Sequence, residues 1–231
     1  MDRGNMFERL ERIIGKEKIA LLNKKRVLVI GLGGVGGMAV ETLIRNGIED
    51  IIIVDNDKID VTNKNRQIIA LNSNIDEYKT DAFEKRILDI NKNVKVTKIT
   101  DFINEENIDN LFSYKPDYII DACDTINTKV LIIEECLKRN VKFISSMGMG
   151  KKIDISRLEI TEIKKTSYDK LAKVIRKKLR DDKVIGKVPV LSSKEQVIDT
   201  KEEIGSYSPV TMSAGIILAD YVIKEIINGG N

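Results

Sequence analysis

Unbroken aliphatic runs and helically spaced apolar residues alternate along most of this chain. Val27–Ile30 and Ile51–Val54 are aliphatic throughout, the pattern of strands buried on both faces of a sheet. With weaker apolar segments they predict strands near 26–31, 50–55, 94–99, 117–121 and 141–146. Between them the spacing predicts helices near 34–46, 76–90, 105–112 and 126–139. Strand and helix in alternation argue for a mostly parallel sheet with helices on both faces. A charged helical arm is expected over 5–25, with Phe7, Leu10, Ile13 and Ile14 on one face.

The rhythm changes after Gly150. Ile153, Ile155, Leu158, Ile160 and Ile163 suggest extended segments joined by a turn. A basic helix at about 168–180 follows, then a polar, turn-rich stretch over 181–207. A last helix is expected over 209–228. Pro209 sits near its start, where a missing N–H costs little, and Gly229 and Gly230 follow its end. Residues 151–207 read as an insertion on the same domain, so 1–231 is expected to form a single domain.

Composition narrows the chemistry. The chain has no histidine, which removes the commonest general base and the commonest zinc ligand. Its two cysteines, Cys123 and Cys136, are too few for a disulfide framework or a four-cysteine zinc site and are expected to pack as small buried residues. The net charge of +3 gives no global pull toward nucleic acid. No apolar run approaches the roughly 18 residues of a membrane span, and the N-terminus lacks an apolar signal core. A reducing, cytoplasmic setting without membrane partners is expected.

The most specific local feature is Gly31-Leu32-Gly33-Gly34-Val35-Gly36 between the first strand and the first helix of the alternating units. Gly31, Gly33 and Gly34 allow a tight turn and close backbone approach, and Gly36 lets helix pack on strand. The helix N-terminus then faces a phosphate. The second strand ends in Asp55, where such folds place a ribose-binding carboxylate. Together these predict an α/β, Rossmann-like, doubly wound sheet with a nucleotide site, without saying which nucleotide. Asp57, Asn63 and Arg66 follow in Asp55–Gln67. Arginine offers a permanent forked charge suited to phosphate, although Asn and Asp equally favour a solvated turn. Lys79 and Asp124 fall near later helix starts. A magnesium ligand at Asp124 competes with a plain helix cap, and Lys79 with an ordinary surface lysine.

The series Gly31–Gly36, Asp55, Asn63-Lys64-Asn65-Arg66-Gln67, Lys79 and Asp121-Ala122-Cys123-Asp124 resembles the ubiquitin-activating-enzyme-like adenylation superfamily over roughly residues 7–150. Within it the chain is most similar to the tRNA threonylcarbamoyladenosine dehydratases. The matching segments include Phe7-Glu8-Arg9, Thr62–Ile68, Ser145–Gly150, Lys165-Thr166-Ser167 and Leu171–Val174. The resemblance implies ATP in the glycine-loop site, with Asp55 on the ribose and Asn63, Arg66 and Lys79 on phosphates. It implies Mg²⁺ on Asp124, and a homodimer in which Arg9 reaches the partner's site. The implied reaction is carboxylate adenylation, which needs positioned cations more than a histidine base.

Two departures stand out. Asp76 occupies a place where the superfamily usually has glycine. Asp169-Lys170 and Glu203–Ser206 replace a C-terminal region that commonly carries a cysteine or a Pro-Gly-Ser run, and no cysteine follows Cys136.

Residues 164–187 hold ten Lys/Arg and three acids, a local +7. Such a run is usually a solvated helix face, but for a tRNA substrate it would funnel phosphates, with Arg176, Lys177 and Arg180 as guides. Three functions are therefore compared. The first is an ATP-dependent tRNA dehydratase that adenylates a threonylcarbamoyl carboxylate so that it cyclises. The second is an adenylyltransferase for the C-terminus of a small sulfur-carrier protein. The third is a nucleotide-binding module, NAD-linked or otherwise, without adenylation. The basic stretch favours the first, and the Asn63–Gln67 segment with Lys79 opposes the third.

Overall fold

The computed structural model describes residues 5–197 and 204–229, so Glu203 and Gly230 lie outside the described residues. Its elements run α1 (Glu8–Ile14), α2 (Lys16–Asn23), β1 (Arg26–Ile30), α3 (Gly36–Arg45), β2 (Asp50–Val54), α4 (Lys79–Ile90), β3 (Lys95–Ile99), α5 (Ile108–Ser113), β4 (Tyr118–Asp121), α6 (Ile126–Arg139), β5 (Lys142–Ser146), β6 (Leu158–Glu162), α7 (Lys170–Asp181), β7 (Pro189–Ser193) and α8 (Ser208–Ile227). Seven strands form one sheet in the order β3-β2-β1-β4-β5-β7-β6. All pairings are parallel except β6 with β7. The strand order reverses between β1 and β4, the switch point where doubly wound sheets open a crevice for ligands.

Alternation along each strand divides the core in two. Val27, Val29, Ile51, Ile53 and Ile120 face one layer with residues of α3, α4 and α8. Leu28, Ile30, Ile52 and Ile119 face the other with residues of α5, α6 and α7. Both faces of the central strands are thus covered, which is why their sequence is continuously apolar. With tryptophan absent, branched aliphatic residues fill both layers.

Several expectations need correction. The N-terminal arm is not one helix: it breaks at Gly15, whose φ of +85° no right-handed helix accommodates. Ile13 does not join an apolar face but is 82% exposed, and no α1 residue is buried. After Gly150, Ile153 and Ile155 lie outside strands, and within 151–165 only Leu158–Glu162 forms a strand. The stretch 181–207 hides a strand, β7, wedged between β5 and β6. Its Val190 and Leu191 are fully buried, but Pro189, Ser192 and Ser193 gave it the look of a turn. Residues 151–207 therefore complete the main sheet.

Candidate functional site

The carboxyl ends of β1, β2 and β4 border a cavity of about 440 Å³. Its floor is the glycine loop. Gly31 has φ +84°, and a Cβ there would sit 2.7 Å from the Ala122 carbonyl oxygen. At Gly36 a Cβ would lie 1.8 Å from the Gly31 carbonyl oxygen. Only glycine closes this turn and brings α3 onto β1. Gly33 differs: its nearest protein atom is Gln67 Nε2 at 3.9 Å, so its missing side chain leaves room for a ligand. α3 has no side-chain cap, which leaves its first amides to offer an anion.

Asp55 closes β2. Its Oδ2 accepts Leu32 N at 2.6 Å and its Oδ1 accepts Asp57 N at 2.8 Å. A carboxylate has about four lone-pair sites, so capacity remains for ribose hydroxyls. Burial pushes the Asp55 carboxyl above its usual range, against the pull of Lys79 and the two amides. Lys79, the first residue of α4 and only 4% exposed, lies 2.7 Å from Asp57 Oδ2 and 3.5 Å from Asp55 Oδ1. It is no ordinary surface lysine. Asp57 is well exposed at the cavity edge.

The segment after Asp55 is folded by short-range hydrogen bonds. Asp60 caps the 3-10 turn Val61–Asn63, and Asn63 Oδ1 accepts Asp60 N in return. That leaves the Asn63 amide hydrogens to a ligand. Arg66 Nη1 donates to the Thr62 carbonyl and to Asn65 Oδ1, each at 3.0 Å. Among the described residues it meets no carboxylate, so its charge is uncompensated at the cavity wall. Both line the cavity, as does the exposed Asp124.

Asp121 and Asp124 have separate fates. Asp121 is fully buried, 2.7 Å from the equally buried Lys129 Nζ, and accepts the Ser145 hydroxyl at 2.6 Å. Its Oδ1 also takes Cys123 N at 3.2 Å, which shapes the turn that presents Asp124. Asp124 forms no ion pair among the described residues. One accessible carboxylate at a cavity also lined by Arg66 and Lys79 fits the chemistry of Mg²⁺, which is usually shared between one or two carboxylates and substrate phosphates. No group of three or more acidic or cysteine side chains suited to a metal occurs among the described residues, so a cation here would need the nucleotide's oxygens. Burial pushes the thiols of Cys123 and Cys136 far up, with Asp121 adding to the effect. The shift disfavours the thiolate that a nucleophilic cysteine needs. Cys136 packs in the core as expected, whereas Cys123 is half-buried at the cavity.

The remaining predicted residue, Arg9, is exposed on α1 and does not line this cavity. Conversely, Phe102, Gln67, Gly150, Ser206 and Thr211 line it without having been singled out as ligands. Gln67 is 5% exposed with its Oε1 unpartnered. Ser206 holds Asn65 through its carbonyl at 3.0 Å, and Thr211 Oγ1 would be 3.0 Å from a Cβ on Gly34. Gln67, Gly150 and Ser206 lie in stretches that the sequence motifs already include. Phe102 and Thr211 carry no such signal and arrive from distant segments.

Comparison with known proteins agrees with this geometry. The tRNA threonylcarbamoyladenosine dehydratase of Bacillus subtilis (strain 168) is 39% identical over 241 residues, covering 96% of this chain and 95% of that protein. The crystal structure of Escherichia coli tRNA N6-threonylcarbamoyladenosine dehydratase in complex with ATP superposes with a TM-score of 0.93 at 31% identity, covering 97% of this chain and 94% of that one. The adenylyltransferase and sulfurtransferase UBA4 of Saccharomyces cerevisiae (strain YJM789) is 28% identical over 142 residues, covering 62% of this chain and 32% of that protein. The ThiF family model matches residues 7–231. With a glycine loop, the carboxylate Asp55 and the cations Arg66 and Lys79 lining one cavity, and a family match running from Phe7 to the last residue, the chain belongs to the ThiF family.

Proposed function

We propose that this chain is an ATP-dependent tRNA threonylcarbamoyladenosine dehydratase. The observation that carries this reading is the correspondence with the Bacillus subtilis dehydratase over 95% of that protein. The substrate's threonylcarbamoyl carboxylate attacks the α-phosphorus of ATP, and pyrophosphate leaves. An atom of the carbamoyl group then attacks the activated carbonyl and expels AMP, so the nucleoside loses one water overall. Arg66, Asn63 and Lys79 orient the phosphates and offset charge building at phosphorus. Lys79 exchanges its hold on Asp57 for that task. Asp55 holds the ribose, and Phe102 offers an apolar wall to the base. Asp124 would hold Mg²⁺, which supplies Lewis-acid polarisation of phosphoryl oxygens when bound.

Residues 151–207 serve as the substrate-binding part, with the basic face of α7 toward RNA. Arg176 is partly committed within the fold, its Nη1 donating to the carbonyls of Ile163 and Thr166 at 3.2 and 2.7 Å. Lys173 and Lys177 are exposed and suit phosphate contact. Arg9 completes the site of a second copy in a homodimer. No described helix is long and apolar enough to cross a membrane.

Incubation with ATP and modified tRNA should yield a nucleoside lighter by one water in mass spectrometry. Arg66→Ala and Asp124→Ala should each slow this at least about tenfold, the loss of one charge-assisted transition-state contact. Adenylation of a sulfur-carrier C-terminus, with no dehydrated nucleoside, would establish the second function instead.

A further inference from the structure

Two non-glycine residues beside the basic helix hold left-handed backbone, Lys151 at φ +58° and Tyr168 at φ +54°. Such conformations persist where surrounding contacts over-determine them. Here the buried Lys152 donates its Nζ to the Tyr168 carbonyl at 3.2 Å and to the Glu195 carbonyl. The next residue, Asp169, is 7% exposed and accepts three donors. They are Ala172 N at 2.9 Å, which caps α7, Gly148 N at 3.1 Å and the Ser192 hydroxyl at 3.2 Å. Gly148 leads directly into Met149 and Gly150, which line the nucleotide cavity.

The Tyr168 backbone is therefore clamped between the cavity wall and the start of the basic helix, yet the residue remains 60% exposed. Among the described aromatic rings it is the most exposed; Lys58 lies over Tyr78 at 5.0 Å, and Phe102 lines the cavity. Tyr168 has a fixed base and a solvent-facing ring, next to cations suited to phosphate. Single-stranded RNA is bound by that pairing of basic surface with a stacking aromatic.

We infer that Tyr168 is a stacking platform for a nucleobase of the RNA substrate, placed between the basic face of α7 and the adenylation cavity. This rests on the dehydratase reading above. The chain contains no tryptophan, so Tyr168→Trp installs a single indole at the contact. Its fluorescence should be quenched saturably by tRNA bearing threonylcarbamoyladenosine and stay unchanged with ATP alone. Tyr168→Ala should raise KM for tRNA by roughly five- to a hundredfold, the range for losing one stacked base. Its kcat at saturating tRNA, its ATP affinity and its Tm should stay near wild type, and Tyr168→Phe should restore KM. A merely structural role would instead move Tm or ATP affinity. Unquenched indole in a Trp variant that still dehydrates tRNA, or a wild-type KM in the Ala variant, would overturn the stacking role and leave the dehydratase reading standing. Failure of the wild-type chain to dehydrate tRNA would overturn both.

Discussion

At the scale of single residues, Asp76 shows how a departure from family pattern becomes intelligible. Its φ of +67° is the conformation glycine adopts without cost, and Asp and Asn tolerate it better than other residues. Its amide still reaches the Ile59 carbonyl at 2.9 Å, so the turn survives the replacement. The left-handed Asp76 and the extended Tyr78 also explain why α4 begins at Lys79 rather than near 76. Asp76→Gly should therefore stabilise the protein by up to about 1 kcal/mol, relief of left-handed strain less the extra entropy of unfolded glycine. Urea unfolding measures it, and clear destabilisation would show that the Asp76 side chain contributes more than its strain costs.

At the scale of elements, the group Asp121, Lys129 and Ser145 joins β4, α6 and β5 through fully buried polar contacts. A buried ion pair adds little net stability against an apolar alternative, but removing one partner strands a charge. Lys129→Met should cost about 3–5 kcal/mol, and Asp121→Asn in the same chain should recover part of it. Because Asp121 also holds Cys123 N, the single variant should disturb the turn carrying Asp124 and slow adenylation as well. A loss below about 1 kcal/mol in denaturant titration would mean that the interior relaxes around the lone carboxylate. A hydrophobicity pattern marks these positions only as interruptions. Lys129 looks like one more charge on a charged helix until the sheet brings Asp121 against it.

For the whole molecule, Arg9 is exposed on α1 and does not line the cavity of its own chain. A two-fold dimer would bring the arm of one copy to the cavity of the other. Arg9→Ala and Asp124→Ala should each be slowed at least about tenfold alone. After subunit exchange in an equal mixture, one site in each mixed dimer has both groups. Activity should then return to about a quarter of wild type, from random assortment into two-fold dimers. A mixture no more active than its components would place Arg9 outside the catalytic arrangement, and a monomer with full turnover would remove the dimer altogether.

Much of this molecule was determined by the sequence alone, wherever local chemistry dictates local structure. Val27–Ile30 and Ile51–Val54 had to be buried strands, because so continuous an aliphatic run has no solvated alternative. Gly31 and Gly36 had to form a tight strand-to-helix turn, because no side chain fits there. Arg66, Lys79 and Asp124 are singled out by their place in the motif series that carries the family resemblance, and all three line the cavity. Tertiary structure decided the rest. β7 became an interior strand only because β5 and β6 flank it, since burial depends on neighbours rather than on its own mixed composition. Asp121 and Asp124, three residues apart, became half of a buried ion pair and an exposed cavity-lining carboxylate because β4 ends between them. Ser206 and Thr211 joined the site because α8 packs against α3, bringing residues more than a hundred positions away to the glycine loop. Periodicity carries no such information, for it records which face of an element is buried and not which distant element buries it.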